Sequence, residues 1–203
     1  MLIQTPEDIL AQLTQLVDRS KIKGDNYLIS YPHFINYFKH LDTINEENLV
    51  IGISFVYSWM PTVLKKLDKK LFTQAITVLN KAKQNHKLTI DDYKLLKQTF
   101  NNSIVGTSKL LHFINPDKYA IWDSNIFKFL HNECFQAHHY RIENITMYID
   151  YLQLVNSLTQ LDNFDGFYTK VKSMLKENGS ISKFRAIELI MFRARSPISL
   201  ILP

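Results

Sequence analysis

Residues 103–130 read SIVGTSKLLHFINPDKYAIWDSNIFKFL. The first half of this stretch has the apolar spacing of a helix, and it ends in a proline-containing turn, Asn115-Pro116-Asp117. A short extended apolar piece, Tyr119–Trp122, follows, and Asp123 stands where another helix begins. An aspartate at a helix start accepts backbone N–H bonds, so capping is the first interpretation of Asp123. The stretch therefore predicts two helices joined by a tight connection.

The rest of the chain predicts the same class of structure. Five Gly and six Pro among 203 residues argue against a loop-rich β sandwich, and 46% hydrophobic residues suffice for a sizeable core. We expect an all-α protein of roughly ten helices in one domain, 1–203, with lobes 1–100 and 101–203 separated by a cleft as the alternative. Residues Tyr27–Ser30 read as extended. Apolar periodicity and cap residues predict helices at 6–18, 33–40, 46–59, 62–67, 70–84, 90–101, 104–113, 124–132, 144–160, 165–177 and 182–194.

Cysteine content and targeting signals narrow the class further. A single Cys excludes a disulfide framework, a four-cysteine zinc site and a four-cysteine iron–sulfur cluster. The N-terminal residues MLIQTPEDILAQ lack the basic start and apolar run of a secretory signal. The longest uncharged stretch, 48–64, is interrupted by Ser and Pro and reads as a buried helix. We therefore expect a cytoplasmic, soluble monomer without a membrane segment.

The formal charge of +5 is unevenly distributed. Residues 65–97 hold nine Lys against three Asp, and residues 170–195 hold seven Lys and Arg against two Glu. Two basic blocks beside more acidic segments predict a surface that faces phosphate groups. The alternative is that these lysines only solvate helix faces.

Two short segments within 103–130 carry a family resemblance. Val105-Gly106-Thr107-Ser108-Lys109 looks like a glycine turn with a lysine near the helix start, and Ala120–Ile126 looks like a loop ending in a catalytic aspartate. Together they resemble the helix-hairpin-helix DNA glycosylases, in particular compact bacterial proteins of the 8-oxoguanine glycosylase fold. The chain departs from that family in having one glycine at the turn, Ser-Asn after Asp123, and a spacing of 14 positions from Lys109 to Asp123.

The resemblance implies a helix-hairpin-helix element near 90–130 and a DNA partner, without a cofactor. It implies that the protein cleaves the N-glycosidic bond of a damaged base, with Asp123 stabilising positive charge on the sugar and Lys109 as the lyase nucleophile. If Lys109 points away, Asp123 activates water alone. The alternative for Lys109 is an ordinary solvated helix lysine. Three residues at the turn would contact the DNA backbone: Gly106, Thr107 and Ser108.

Aromatic and basic side chains elsewhere complete the predicted site. A flipped base needs an aromatic or apolar wall, although aromatics at helical spacing are more often plain core. Arg185 and Arg193 are candidates for phosphate contacts, whereas Arg185 and Glu188, three residues apart, are placed to pair with each other. The candidates for the base pocket are Tyr57, Trp59, Met60 and Trp122.

Other chemistries have weaker sequence support. The spacing of His131, Cys134, His138 and His139 fits no familiar zinc finger, so we expect no metal site. His112 reads as a hydrogen-bonded core histidine. The main alternative to a glycosylase is a non-catalytic helical module that keeps the fold to bind DNA or protein, and a third is a helical defence protein with a coincidental resemblance.

Overall fold

The computed structural model describes residues 4–19, 26–131, 138–175 and 181–194. Within these ranges the α-helices are joined by irregular connections and there is no β-strand, apart from an isolated antiparallel bridge between Leu67 and Phe100, and one 3-10 turn lies at Lys69–Leu71. The predicted all-α class is confirmed. The helices are α1 Pro6–Arg19, α2 Asn26–Lys39, α3 Glu46–Ser58, α4 Phe72–Lys83, α5 Ile90–Thr99, α6 Ile104–Ile114, α7 Ser124–His131, α8 His139–Ile142, α9 Ile145–Leu158, α10 Phe164–Met174 and α11 Lys183–Ala194.

Helix starts follow the cap residues in the sequence. Thr89 accepts a hydrogen bond from the Asp92 amide, and the Asp92 carboxylate accepts one in return from the Thr89 amide. Asn45 forms the same reciprocal box at the start of α3. Each box satisfies two backbone donors that a helix start otherwise leaves open. The sequence also predicts a helix stop at Asn178-Gly179 and a helix cap at Ser180, and these residues lie outside the described ranges.

Two local predictions are wrong. Residues 62–67 form no helix, because Asn101 holds their backbone in a different conformation. Tyr27–Ser30 is helical rather than extended and belongs to α2, which continues through Pro32. Leu28, Tyr31 and Phe38 recur on one buried face of α2, so tertiary packing outweighs the local signals.

The helices pack in two groups. The first helix group, α2–α6, is held together by contacts of α6 with α2, α3, α4 and α5. In the second helix group, α11 contacts α1, α7, α9 and α10. Packing of α5 against α9 joins the two groups. This grouping does not follow the predicted lobes 1–100 and 101–203. Helix α6 packs within the first helix group, and α1 packs within the second.

The last helix lies in the core, as its apolar circumference predicts. Every residue from Phe184 to Met191 is buried, including Arg185 and Glu188. Among the described residues, no helix has the length and apolar character needed to cross a membrane.

Candidate active site

The connection between α5 and α6 forms a tight turn without glycine. Asn101 and Asn102 have φ angles of 50° and 51°, a left-handed conformation that Asn tolerates better than most residues. Gly106 has a different role, since a Cβ there would lie 2.9 Å from Cε2 of buried Phe100. The Asn-Asn pair is therefore the turn signal that sequence reasoning missed.

The residues predicted to contact DNA at this turn are used inside the protein. The Gly106 amide donates to Ser103 Oγ over 3.1 Å, and Thr107 Oγ1 donates to the Ser103 carbonyl over 2.8 Å. Ser108 Oγ accepts the Trp122 amide over 3.0 Å and so ties α6 to the segment before Asp123. All three residues are buried, so their positions favour a structural role over phosphate contact.

An internal carboxylate occupies the start of α6. Glu143 accepts hydrogen bonds from the Ile104 amide over 2.5 Å and from Ser103 Oγ over 3.0 Å. Lys97 lies 3.4 Å from the same carboxylate. A negative charge at a helix N-terminus is stabilised by the open amides and the helix dipole. These donors are thus already satisfied by Glu143.

Lys109 lies inside the protein, on the buried face of α6. It is 7% exposed, which rules out the alternative of a solvated helix lysine. No described residue makes a hydrogen bond or ion pair with its ammonium group. Burial lowers the pKa of Lys109 below its ordinary value of 10.5, and the nearby Asp123 and Glu188 carboxylates oppose this shift.

Asp123 caps α7 and also faces the lysine. Its Oδ1 accepts the amides of Asn125 and Ile126 over 2.8 and 3.0 Å, as the capping interpretation predicts. Its Oδ2 accepts no hydrogen bond from a described residue, and the side chain is only partly buried. The hydrogen bond from the Trp122 amide to Ser108 Oγ joins the residues next to Asp123 and Lys109, and the Asp123 carboxylate favours the charged form of Lys109.

An ion pair on α11 completes this charged cluster, which we define as Lys109, Asp123, Arg185 and Glu188. Arg185 and Glu188 are 4% and 2% exposed, and the guanidinium Nη1 donates to the Glu188 carboxylate. Burial raises the pKa of Glu188, while the Arg185 charge opposes the shift. Arg185 therefore presents no surface for a phosphate, because it forms the alternative pair with Glu188.

Polar residues of the first helix group line the other side of Arg185. Its guanidinium carbon lies 5.0 Å from the Tyr31 ring centroid and 5.3 Å from that of Trp59. Tyr31 Oη lies 2.9 Å from His112 Nε2, and His112 Nδ1 lies 2.6 Å from the Tyr119 carbonyl. Burial lowers the pKa of His112 to about 3, so this histidine is neutral and hydrogen-bonded in the core.

The predicted pocket aromatics are divided by the fold. Trp59 lies beside Arg185, and Trp122 directly precedes Asp123, so both border the charged cluster. Each is nearly buried, and their indole N–H groups donate to Ser30 Oγ and to the Ile142 carbonyl. Tyr57 instead packs on Phe100 near the α5–α6 turn. Met60 lies two residues after the end of α3 and is partly buried against the core.

An open pocket lies next to the charged cluster on the α9 side. Its volume is about 280 Å³. The Tyr151 ring lies 5.1 Å from that of Trp122, and the buried Tyr151 hydroxyl has no hydrogen-bond partner in the described part of the chain. Polar atoms of this kind suit a ligand that supplies the missing partner. The pocket is lined by Trp122, Leu130, His131, Met147, Asp150, Tyr151 and Gln153.

Many lysines of the two basic blocks have acidic neighbours. Lys81 pairs with Asp92, and Lys94 with Asp91. In the second block, Lys170 lies 2.8 Å from Asp18. Arg193 is partly buried in the last turn of α11. The charge available to an anionic partner is therefore smaller than the two blocks suggest.

Two further observations concern metal binding and similarity to known proteins. The described residues contain no group of three His, Cys, Asp or Glu that could hold a metal ion, and Cys134 lies outside them. Comparison with protein-family models, curated proteins and solved structures gives no match for this chain.

Proposed function

We propose that this protein is a DNA glycosylase of the base-excision type, with Lys109 as nucleophile and Asp123 as the charged partner. The observation that carries the proposal is the buried, unpartnered Lys109 beside a carboxylate with one oxygen not used by the α7 cap. A buried amine with a lowered pKa is the state that a nucleophilic lysine needs near neutral pH.

In the proposed reaction, Lys109 is the nucleophile and Asp123 accepts its proton. The neutral Lys109 amine attacks C1′ of the damaged nucleotide, the C1′–N bond breaks, and the base leaves with the bonding electrons and takes up a proton. The Asp123 carboxylate stabilises positive charge on the sugar as that bond breaks, and it accepts the proton lost by the amine. As the sugar ring opens, Asp123 gives that proton to O4′, the base having taken its own proton from water, and a protonated Schiff base remains between Lys109 and C1′.

The remaining members of the charged cluster have supporting roles in this proposal. Glu188 helps to hold the Lys109 side chain, and Arg185 balances the Glu188 charge within the core. Trp59, which lies against Arg185, and Trp122, which precedes Asp123, are the aromatic residues assigned to an extruded base. Tyr57 and the buried serine and threonine of α6 are not assigned to the reaction.

Borohydride trapping on duplexes that each carry a single lesion tests the proposal. Borohydride reduces the Schiff base to a stable covalent link, and we expect a trapped complex that is lost in Lys109→Met. Asp123→Asn keeps a side-chain oxygen for the α7 cap but removes the charge, so trapping should fall steeply while the fold is retained. Lys118→Met, on the exposed turn after α6, is the matched control and should trap like the wild type.

The alternative, a non-catalytic DNA-binding module, gives a different result. Salt-dependent DNA binding with neither base release nor trapping on any lesion would support it and refute the enzyme. Base release that continues in Lys109→Met and stops in Asp123→Asn would instead assign a monofunctional reaction with water as the nucleophile.

A further inference from the structure

Residues 61–70, PTVLKKLDKK, form an exposed segment that we call the lysine loop. It contains four lysines within six positions. Val63 is 74% exposed and Leu67 is 38% exposed, although both are apolar. Single exposed apolar side chains are common on protein surfaces, so the charge of the loop is its distinguishing feature.

Asn101 makes most of the hydrogen bonds that hold the lysine loop, beside the Leu67–Phe100 bridge and the Asp68 amide, which donates to the Thr99 carbonyl. Asn101 Oδ1 accepts the amides of Lys65 and Lys66 over 2.7 and 2.8 Å. Its Nδ2 donates to the Val63 carbonyl over 2.8 Å, and its own amide donates to the Lys66 carbonyl over 3.0 Å. Four hydrogen bonds from one residue therefore fix a surface segment whose amides water would otherwise solvate.

The anchor itself adopts a costly conformation. Left-handed φ angles at Asn101 and Asn102 cost of order 1 kcal/mol each relative to ordinary backbone. Local strain at an exposed turn persists only where the surrounding structure enforces it. Here it directs the Asn101 side chain into the lysine loop.

The loop contains four lysines and one aspartate, Asp68, and so keeps a net positive charge. Lys65 and Lys70 are exposed and have no ion pair with a described residue. Lys66 and Lys69 have acidic neighbours at 3.8 and 3.4 Å, but these pairs are exposed and weak. The lysine loop is therefore complementary in charge to an extended anionic partner.

The position of the lysine loop favours nucleic acid over a lipid surface. Its anchor leads directly into α6, and Lys109 lies five residues after Ile104, about 8 Å along the helix axis. The anchor of the loop and Lys109 are therefore separated by less than two turns of one helix. Two partly exposed apolar side chains are too few for stable membrane attachment, which needs far more buried apolar surface.

We propose that the lysine loop is a contact surface for the phosphate backbone of duplex DNA, with Lys65 and Lys70 binding phosphates and Val63 packing against the groove. The choice of DNA rests on the proposed function. A preformed loop loses less conformational entropy on binding than a mobile one. The hydrogen bonds of Asn101 therefore favour binding by this loop.

A salt series with the full chain and a fluorescent duplex tests this surface. In Lys65→Gln/Lys70→Gln, we expect binding roughly tenfold weaker or more, and the slope of log K against log salt to fall by about two. The matched control is Lys39→Gln/Lys118→Gln. These two exposed lysines lie at the other end of α4, where Lys83 donates to the Phe38 carbonyl and Asn115 to that of Ala82.

The outcomes separate this inference from the proposed function. Equal affinity and slope in the loop variant and the control would overturn the lysine-loop assignment while leaving trapping at Lys109 intact. Absence of any DNA binding by the wild type would overturn both proposals. Binding to vesicles rich in anionic lipid but not to DNA would identify the loop as a lipid surface and refute the present assignment.

Discussion

Replacing Lys109 by Met should make the protein more stable. The lysine is 7% exposed and has no ion-pair or hydrogen-bond partner among the described residues. Burial is the main cause that lowers its pKa, so the folded protein disfavours the charged form of this side chain. Met has a similar length and no charge. After subtracting the lost attraction to Asp123 and Glu188, we expect Lys109→Met to raise the free energy of unfolding by about 1–3 kcal/mol near pH 7.

The gain should depend on pH with a definite sign. The pKa of Lys109 is lower in the folded state than its ordinary value of 10.5. Between these two pKa values the unfolded chain binds more protons, so wild-type stability rises with pH in that window. The Lys109→Met variant has no titrating group at this position, so its stability lacks this pH dependence. Its advantage over the wild type should therefore shrink as the pH approaches 10.5.

Urea unfolding at a series of pH values measures both effects. Lys118→Met, at an exposed position, should change stability by less than about 0.5 kcal/mol at every pH. A Lys109→Met protein that is destabilised by more than about 1 kcal/mol, or whose gain is constant with pH, would show that Lys109 is charged and satisfied in the folded state. Either result would refute the inference that burial of Lys109 destabilises its charged form.

The remaining predictions concern packing and the α11 ion pair. Arg185→Met or Glu188→Gln alone should cost about 3–5 kcal/mol because each leaves a buried charge unpaired, whereas Arg185→Met/Glu188→Met should be close to wild type. A double-mutant cycle in urea checks this, and additive costs would contradict it. Gly106→Ala should cost about 1–3 kcal/mol, since its Cβ would lie 2.9 Å from Phe100 Cε2. Gly166→Ala, with nothing within 4 Å, should instead stabilise α10 by up to about 1 kcal/mol in thermal unfolding.

The helical class follows from sequence where local signals and packing agree. The reciprocal cap at Thr89 and the apolar stripe behind it both predict α5, and the structure places that helix at Ile90–Thr99. Residues 62–67 show the opposite case. Their composition suits a helix, but Asn101, more than thirty positions later in the chain, takes their backbone amides. Such a contact leaves no periodic trace in the sequence.

The site was predictable only in part for the same reason. Lys109 and Asp123 could be selected because they lie in one local motif. The place of Glu188 depends on how α11 packs against α7, which is a property of the tertiary structure. Its sequence signal is nevertheless specific: two opposite charges three residues apart in a helix whose other central residues are all apolar.

The composition of the charged cluster argues against a purely structural role for Lys109. Arg185 and Glu188 already pair with each other, so neither requires a further cation for its charge to be balanced. Lys109 therefore adds a buried amine that the pair does not need, beside an aspartate with an oxygen that its helix cap does not use. A residue that lowers stability at its own position is expected where function requires it. Loss of trapping together with a gain of stability in Lys109→Met is the combined result that a structural lysine cannot produce.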